Sequence, residues 1–80
     1  MAKSRKKRKP ILSHRKILGD AIRFRRKKAR FTQEKLAEKV DLNPKYLGEI
    51  ERGEKIISIE ALLRIARTVK TPIRQFFRYL

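Results

Sequence analysis

Apolar residues along the chain fall into five short groups, each preceded by a residue type that caps helices and separated from the next by a polar turn. In the first group Ile17, Leu18, Ala21, Ile22 and Ala29 recur at intervals that keep one helix face, so a helix is expected from a Ser13 N-cap to about Arg30. The second, about Gln33 to Val40, follows Thr32 as its cap and turns Leu36, Ala37 and Val40 inward. The third, about Pro44 to Arg52, buries Leu47 and Ile50. Asn43 serves as its N-cap, Pro44 fills the first position, where a missing amide costs nothing, and small Gly48 permits close helix approach. Gly53 stops this helix where a left-handed residue is needed. Ser58 then caps a fourth helix through Glu60, Leu62, Leu63, Ile65, Ala66 and Val69. Thr71 and Pro72 repeat the cap-then-proline signal before a last short helix carrying Ile73, Phe76, Phe77 and Leu80. No segment alternates as a strand does and no repeat is present, so the expected class is all-α.

The second and third groups, two short helices across a tight turn, have the outline of a helix-turn-helix, and double-stranded DNA is the expected partner. In a DNA-reading helix-turn-helix the leading end of the second helix faces base edges. The candidate base contacts are therefore Asn43, Pro44, Lys45, Tyr46 and Glu49. Lys45 suits guanine O6 or N7, Asn43 suits adenine unless capping consumes its side chain, and Pro44 offers no polar group. Tyr46 either touches a thymine methyl or a phosphate, or fills the gap between helices. Glu49 is expected to be offset by Lys45, four residues earlier on the same face, rather than to accept from a cytosine amino group.

Charge strengthens this picture without proving it. The 80 residues carry a formal charge of +16, and residues 1–30 hold 14 Lys and Arg against Asp20 alone. Such an excess attracts polyanions, whether nucleic acid or an anionic membrane. No apolar run approaches the roughly 18 residues that cross a bilayer, and no apolar stretch follows the basic start as in a secretory signal, so a cytoplasmic protein is expected. Residues 1–12 are read as a disordered basic arm and 13–80 as the folded domain. The arm either follows a minor groove or attracts any polyanion, the second being expected. With no cysteine, one histidine at His14, and Glu34 and Glu38 interleaved with Lys35 and Lys39 as a solvated pair, no enzyme, metal, cofactor or small-molecule site is expected. Competing classes are an antitoxin-like interaction module, in which DNA binding is secondary, and a basic protein on membrane or RNA.

Leu18-Gly19, Ile22-Arg23, Arg26, Phe31-Thr32-Gln33, Leu36-Ala37, Tyr46-Leu47, Ile50-Glu51-Arg52-Gly53, Ser58-Ile59-Glu60 and Leu62-Leu63-Arg64-Ile65-Ala66 resemble the phage-repressor-like helix-turn-helix family. That group contains Cro, C2-type repressors and the controller proteins of restriction-modification systems. The resemblance covers residues 18 to about 77 and implies a five-helix domain acting as a homodimer on a partly palindromic operator, with the third helix in the major groove. It implies that Gln33 contacts the DNA backbone and braces the recognition helix, that Arg26 and Glu51 join the first helix to the third, and that Arg52 meets a phosphate. Thr32, Gln33 and Arg52, beside the free amides of a helix start, are thus the candidate phosphate contacts. The alternative for Arg52 is a helix cap, and for Gln33 simple solvation. Ile73, Phe77 and Leu80 are the expected dimer seam, with Phe76 or Phe77 in the core. Departures are Arg30 and Asp41 where the family has glycine, Arg25 for a leucine and Ile57 for a proline; the first two would have to take left-handed backbone.

Overall fold

The computed structural model describes residues 13–80, so the expected arm lies outside the described residues. Four α-helices follow in order, α1 His14–Lys28, α2 Gln33–Lys39, α3 Pro44–Glu51 and α4 Ile59–Thr68, then a 3-10 helix Ile73–Phe77. Among the described residues there is no strand.

The four α-helices open and close by one repeated device. Ser13, Thr32, Asn43 and Ser58 hold extended backbone and accept from the amides of Lys16, Lys35, Lys45 and Ala61, which satisfies donors that a helix start leaves unpaired. At the other end a left-handed residue reverses the chain, and the residue after it donates to a carbonyl five positions back: Phe31 to Arg26, Leu42 to Ala37, Glu54 to Glu49, Thr71 to Ala66. Only one of the four reversing residues is glycine. Arg30, Asp41 and Lys70 have φ of 64°, 59° and 52°, beside 80° at Gly53. The strained backbone expected at Arg30 and Asp41 is present, and Lys70 adds a third case.

Leu18, Ile22, Leu36, Ala37, Val40, Leu47, Ile50, Leu62, Ile65 and Phe76 form the centre of one core, with Ile57 buried beside them. Ile57, the departure from a family proline, thus does packing work. The stripe Ala61, Leu62, Ile65, Ala66 and Val69 faces inward, which turns Leu63 out to 43% exposure, so the fourth helix buries less than its apolar content suggests. The close approach falls at Gly19 rather than Gly48. A Cβ on Gly19 would stand 2.3 Å from the Ile50 carbonyl oxygen, whereas one on Gly48 would meet only the ends of Arg52 and Gln33.

Three expectations about helix limits and helix type are corrected. α1 stops at Lys28, because the reversal at Arg30 consumes the last turn. Thr71 does not cap the final element: it is buried, its hydroxyl donates to the Val69 carbonyl at 3.2 Å, and Pro72 occupies the cap position. That element is a 3-10 helix and not a fifth α-helix, which suits a five-residue segment lacking a side-chain cap.

Candidate nucleic-acid interface

α3 packs against both α1 and α2, and a polar lock fixes the three together. Arg26 of α1 donates through Nε to Glu51 Oε2 at 2.7 Å and through Nη2 to Glu51 Oε1 at 3.0 Å. Its Nη1 donates to the Phe31 carbonyl at 2.9 Å, tying in the turn before α2. Gln33, the first residue of α2, donates from Nε2 to Glu51 Oε1 at 2.9 Å. A carboxylate and a guanidinium held this far from water are tolerated only with such complete pairing, and no buried side-chain polar atom among the described residues lacks a partner. The expected Arg26–Glu51 pair is therefore in place, and Gln33 braces α3 through Glu51 rather than standing merely solvated.

The lock holds α3 with its leading end outward. Asn43, Pro44 and Lys45 are exposed, while Tyr46 and Glu49 are half-buried. The Asn43 carboxamide oxygen accepts from the Lys45 amide at 2.7 Å, so capping occupies the atom that an adenine amino group would need. Tyr46 packs against the core and its hydroxyl donates to the Ile56 carbonyl at 3.3 Å, the gap-filling role. Glu49 is offset, though not by Lys45: the nearest cation is Lys55, at 4.0 Å. The chain reversal at Gly53 carries the Glu54 amide back onto the Glu49 carbonyl at 2.9 Å and brings Lys55 with it, while Lys45 projects from the first turn.

Arg52 lies just beyond α3 and is exposed. Its Nε donates to Glu54 Oε2 at 2.7 Å and its Nη2 to Glu54 Oε1 at 3.1 Å. That hydrogen bonding, followed by charge attraction, raises Arg52 further above its already high value. The hydrogen bond from Arg52 likewise holds the Glu54 carboxyl below its usual range, with Lys55 adding a smaller effect. Nη1 remains beside Gly48, where it shares the space above α3 with Gln33 Oε1. Two of the candidate phosphate contacts thus adjoin across the residue that has no side chain. The third, Thr32, is exposed, with its hydroxyl accepting from the Lys35 amide at 3.0 Å.

Sequence reading missed Glu54, Lys55 and Arg15, whose Nη1 donates to the Glu54 carbonyl at 3.4 Å. The available signal was Gly53 itself: a glycine reversal returns the next two residues toward the last turn, placing their charges beside Arg52 and Glu49. Of the seam residues, Phe77 is 38% and Leu80 49% exposed, Ile73 is half-buried, and Phe76 is the aromatic inside.

Residues 22–76 match the helix-turn-helix family, more than half of the chain. The fold is similar to the clp gene regulator ClgR from Corynebacterium glutamicum, with 32% identity, a TM-score of 0.79 and coverage of 89% of this chain and 73% of that one. It is also similar to the restriction-modification controller protein C.AhdI from Aeromonas hydrophila, at 28% identity and a TM-score of 0.75, covering 79% of this chain and 96% of the other. A hypothetical transcription factor from Neisseria, at 24% identity and a TM-score of 0.74 over 84% and 78% of the two chains, shares the fold. No curated protein matches the chain significantly. With two capped helices across one turn, a buried lock behind the second, and a family match running through both, this chain belongs to the helix-turn-helix family of the Cro/C1 type.

Proposed function

We propose that this DNA-binding regulator acts sequence-specifically, as a homodimer on a partly palindromic operator, through direct contacts from α3. The observation that carries the reading is the contrast between the two ends of α3. Its trailing end is locked through Glu51 to α1 and α2, while its leading end offers Asn43, Pro44 and Lys45 to solvent. A helix that is to read base edges needs both properties, because hydrogen bonds to bases discriminate only when the donor is rigidly placed.

In this reading Lys45 takes guanine O6 or N7 through its exposed ammonium. Asn43 and Pro44 shape the approach, and Tyr46 and Glu49 set the floor behind them. Thr32, Gln33 and Arg52 grip phosphates beside α3, Arg52 by exchanging Glu54 for a phosphate oxygen. Ile73, Phe77 and Leu80 supply the seam between two copies, which sets two α3 helices about 34 Å apart in successive major grooves. The solved relatives named for gene regulation and for control of restriction-modification support a regulatory outcome.

Selection of bound duplexes from a random pool, joined to sedimentation of the protein with the winning sequence, tests the whole reading. The expected result is an enriched site with two-fold symmetry occupied by two chains. Failure to enrich any sequence, or occupancy of a single unsymmetrical site by one chain, would remove the proposal.

A further inference from the structure

On the side of α1 away from α3, Ile17, Ala21 and Phe24 line a groove of about 630 Å³ that is closed by Tyr79 near the chain end. They recur at helical spacing and form one stripe. By helical geometry this stripe lies about 130° around α1 from the Leu18, Ile22 and Arg26 face that meets the core and the lock. Phe24 is 58% and Tyr79 75% exposed, so two large aromatic rings border a concavity that none of the described residues fills. Cations stand over both rings: Arg25 and Lys28 at 5.4 and 5.9 Å from the Phe24 centroid, and Arg78 at 5.8 Å from that of Tyr79. The one acid among the described residues lining the groove, Asp20, is held by Lys16 at 2.9 Å.

We propose that this groove docks an acidic amphipathic helix of another protein. Its two properties select that occupant jointly. A second copy of this chain, placed by two-fold symmetry, would set Arg25, Lys28 and Arg78 against themselves. Residues 1–12, with six Lys and Arg, would meet the same repulsion. A phosphate backbone satisfies the cations but brings no apolar group to Phe24 and Tyr79. A helix with apolar anchors on one face and carboxylates along its flanks satisfies both sets. The stretch from Ile17 to Lys28 spans about 16 Å, room for roughly three turns of such a helix. Docking there leaves α3 free. The proposed dimer seam is left free as well, since neither Ile73, Phe77 nor Leu80 lines the groove. The inference stands on α1 and the chain end and is independent of the DNA-binding reading.

The test titrates the protein with a labelled synthetic helix of about 15 residues carrying leucine at i, i+3, i+4 and i+7 and glutamate on its flanks. Two control peptides replace the leucines by serine and the glutamates by lysine. Saturable binding of the first peptide is expected, weakened about tenfold or more both by F24A and by the charge reversal K28E/R78E, with neither control binding comparably. Both variants alter exposed side chains, so they retain the fold. Equal binding of the serine peptide would reduce the effect to polyanion attraction and overturn the proposal. Unchanged affinity in either variant, or displacement of the peptide by random duplex DNA, would overturn it equally.

Discussion

Two arginine–glutamate pairs meet at the end of α3, one through Glu51 and the next through Arg52, with the same 2.7 Å closest contact. Their surroundings differ. The side chains of Arg26 and Glu51 are 9% and 2% exposed, those of Arg52 and Glu54 58% and 52%. In the first pair neither ion has water to fall back on, so each requires the other and the pair acts as a fixed joint. In the second, water competes throughout, the pair adds little to stability, and its arginine can trade one anion for another. Nearly the same two-pronged contact therefore produces a permanent brace in one place and an exchangeable grip in the other, and solvent access sets the difference.

The largest expected effect breaks the brace. Glu51→Ala leaves Arg26 buried without its partner and should lower stability by about 3–5 kcal/mol in chemical denaturation. Arg26→Met combined with Glu51→Leu removes both ions and should be less damaging than Glu51→Ala alone. A double variant at least as unstable as that single one would mean that burial does not set the role of this pair.

A smaller effect is expected at Lys45, which no ion pair among the described residues engages. Lys45→Ala should cost about 1–3 kcal/mol of binding on the selected operator and far less on random duplexes, in gel-shift titrations at matched salt. Equal losses on both would assign Lys45 to phosphate and blur its distinction from Arg52. For the exposed pair the two members should act in opposite directions. Arg52→Ala should weaken all duplexes alike and flatten the dependence of log K on log salt by about 0.9, whereas Glu54→Gln, which frees the arginine, should tighten binding to all of them. Thermal melting should scarcely move in either variant.

The smallest effect concerns pH. The Glu54 carboxyl is lowered by its bond to Arg52, so what the pair contributes is complete above the carboxyl's unfolded value and is lost as pH falls through the lowered folded one. Arg52, raised by the same bond, stays charged throughout. The affinity difference between wild type and Glu54→Gln on random DNA should thus be constant between about pH 5 and 7, where an ordinary carboxylate stays mostly ionised. A difference that fades within that window would show that the pair is not closed in solution.

The bundle was legible because its signals are local. Ser13, Thr32, Asn43 and Ser58 each cap from within three residues, and the buried stripes keep helical spacing. Arg30 and Asp41 were readable as left-handed only through the resemblance, which places glycine there; Lys70 had no such guide. The site was legible in its members and less so in their pairings. Lys45 at four residues' distance is a sound partner for Glu49 on an isolated helix, but the turn at Gly53 delivers Lys55 instead. Glu54 escaped notice for the same reason, since a loop carboxylate two residues past an arginine has no fixed direction until that turn is built. Thr71 failed as a cap because Pro72 takes the cap position and the buried Thr71 side chain is turned back toward the Val69 carbonyl.

The side chains at three of the four helix exits carry a consequence for tuning the molecule. Arg30, Asp41 and Lys70 sit in backbone that costs an ordinary residue about 1–2 kcal/mol, and glycine would relieve part of that strain at each. Thermal robustness can then be raised from the corners of the bundle inward, leaving the residues proposed to meet DNA as they are. The charge surrendered at each corner would register chiefly in how strongly the protein lingers on unrelated polyanions.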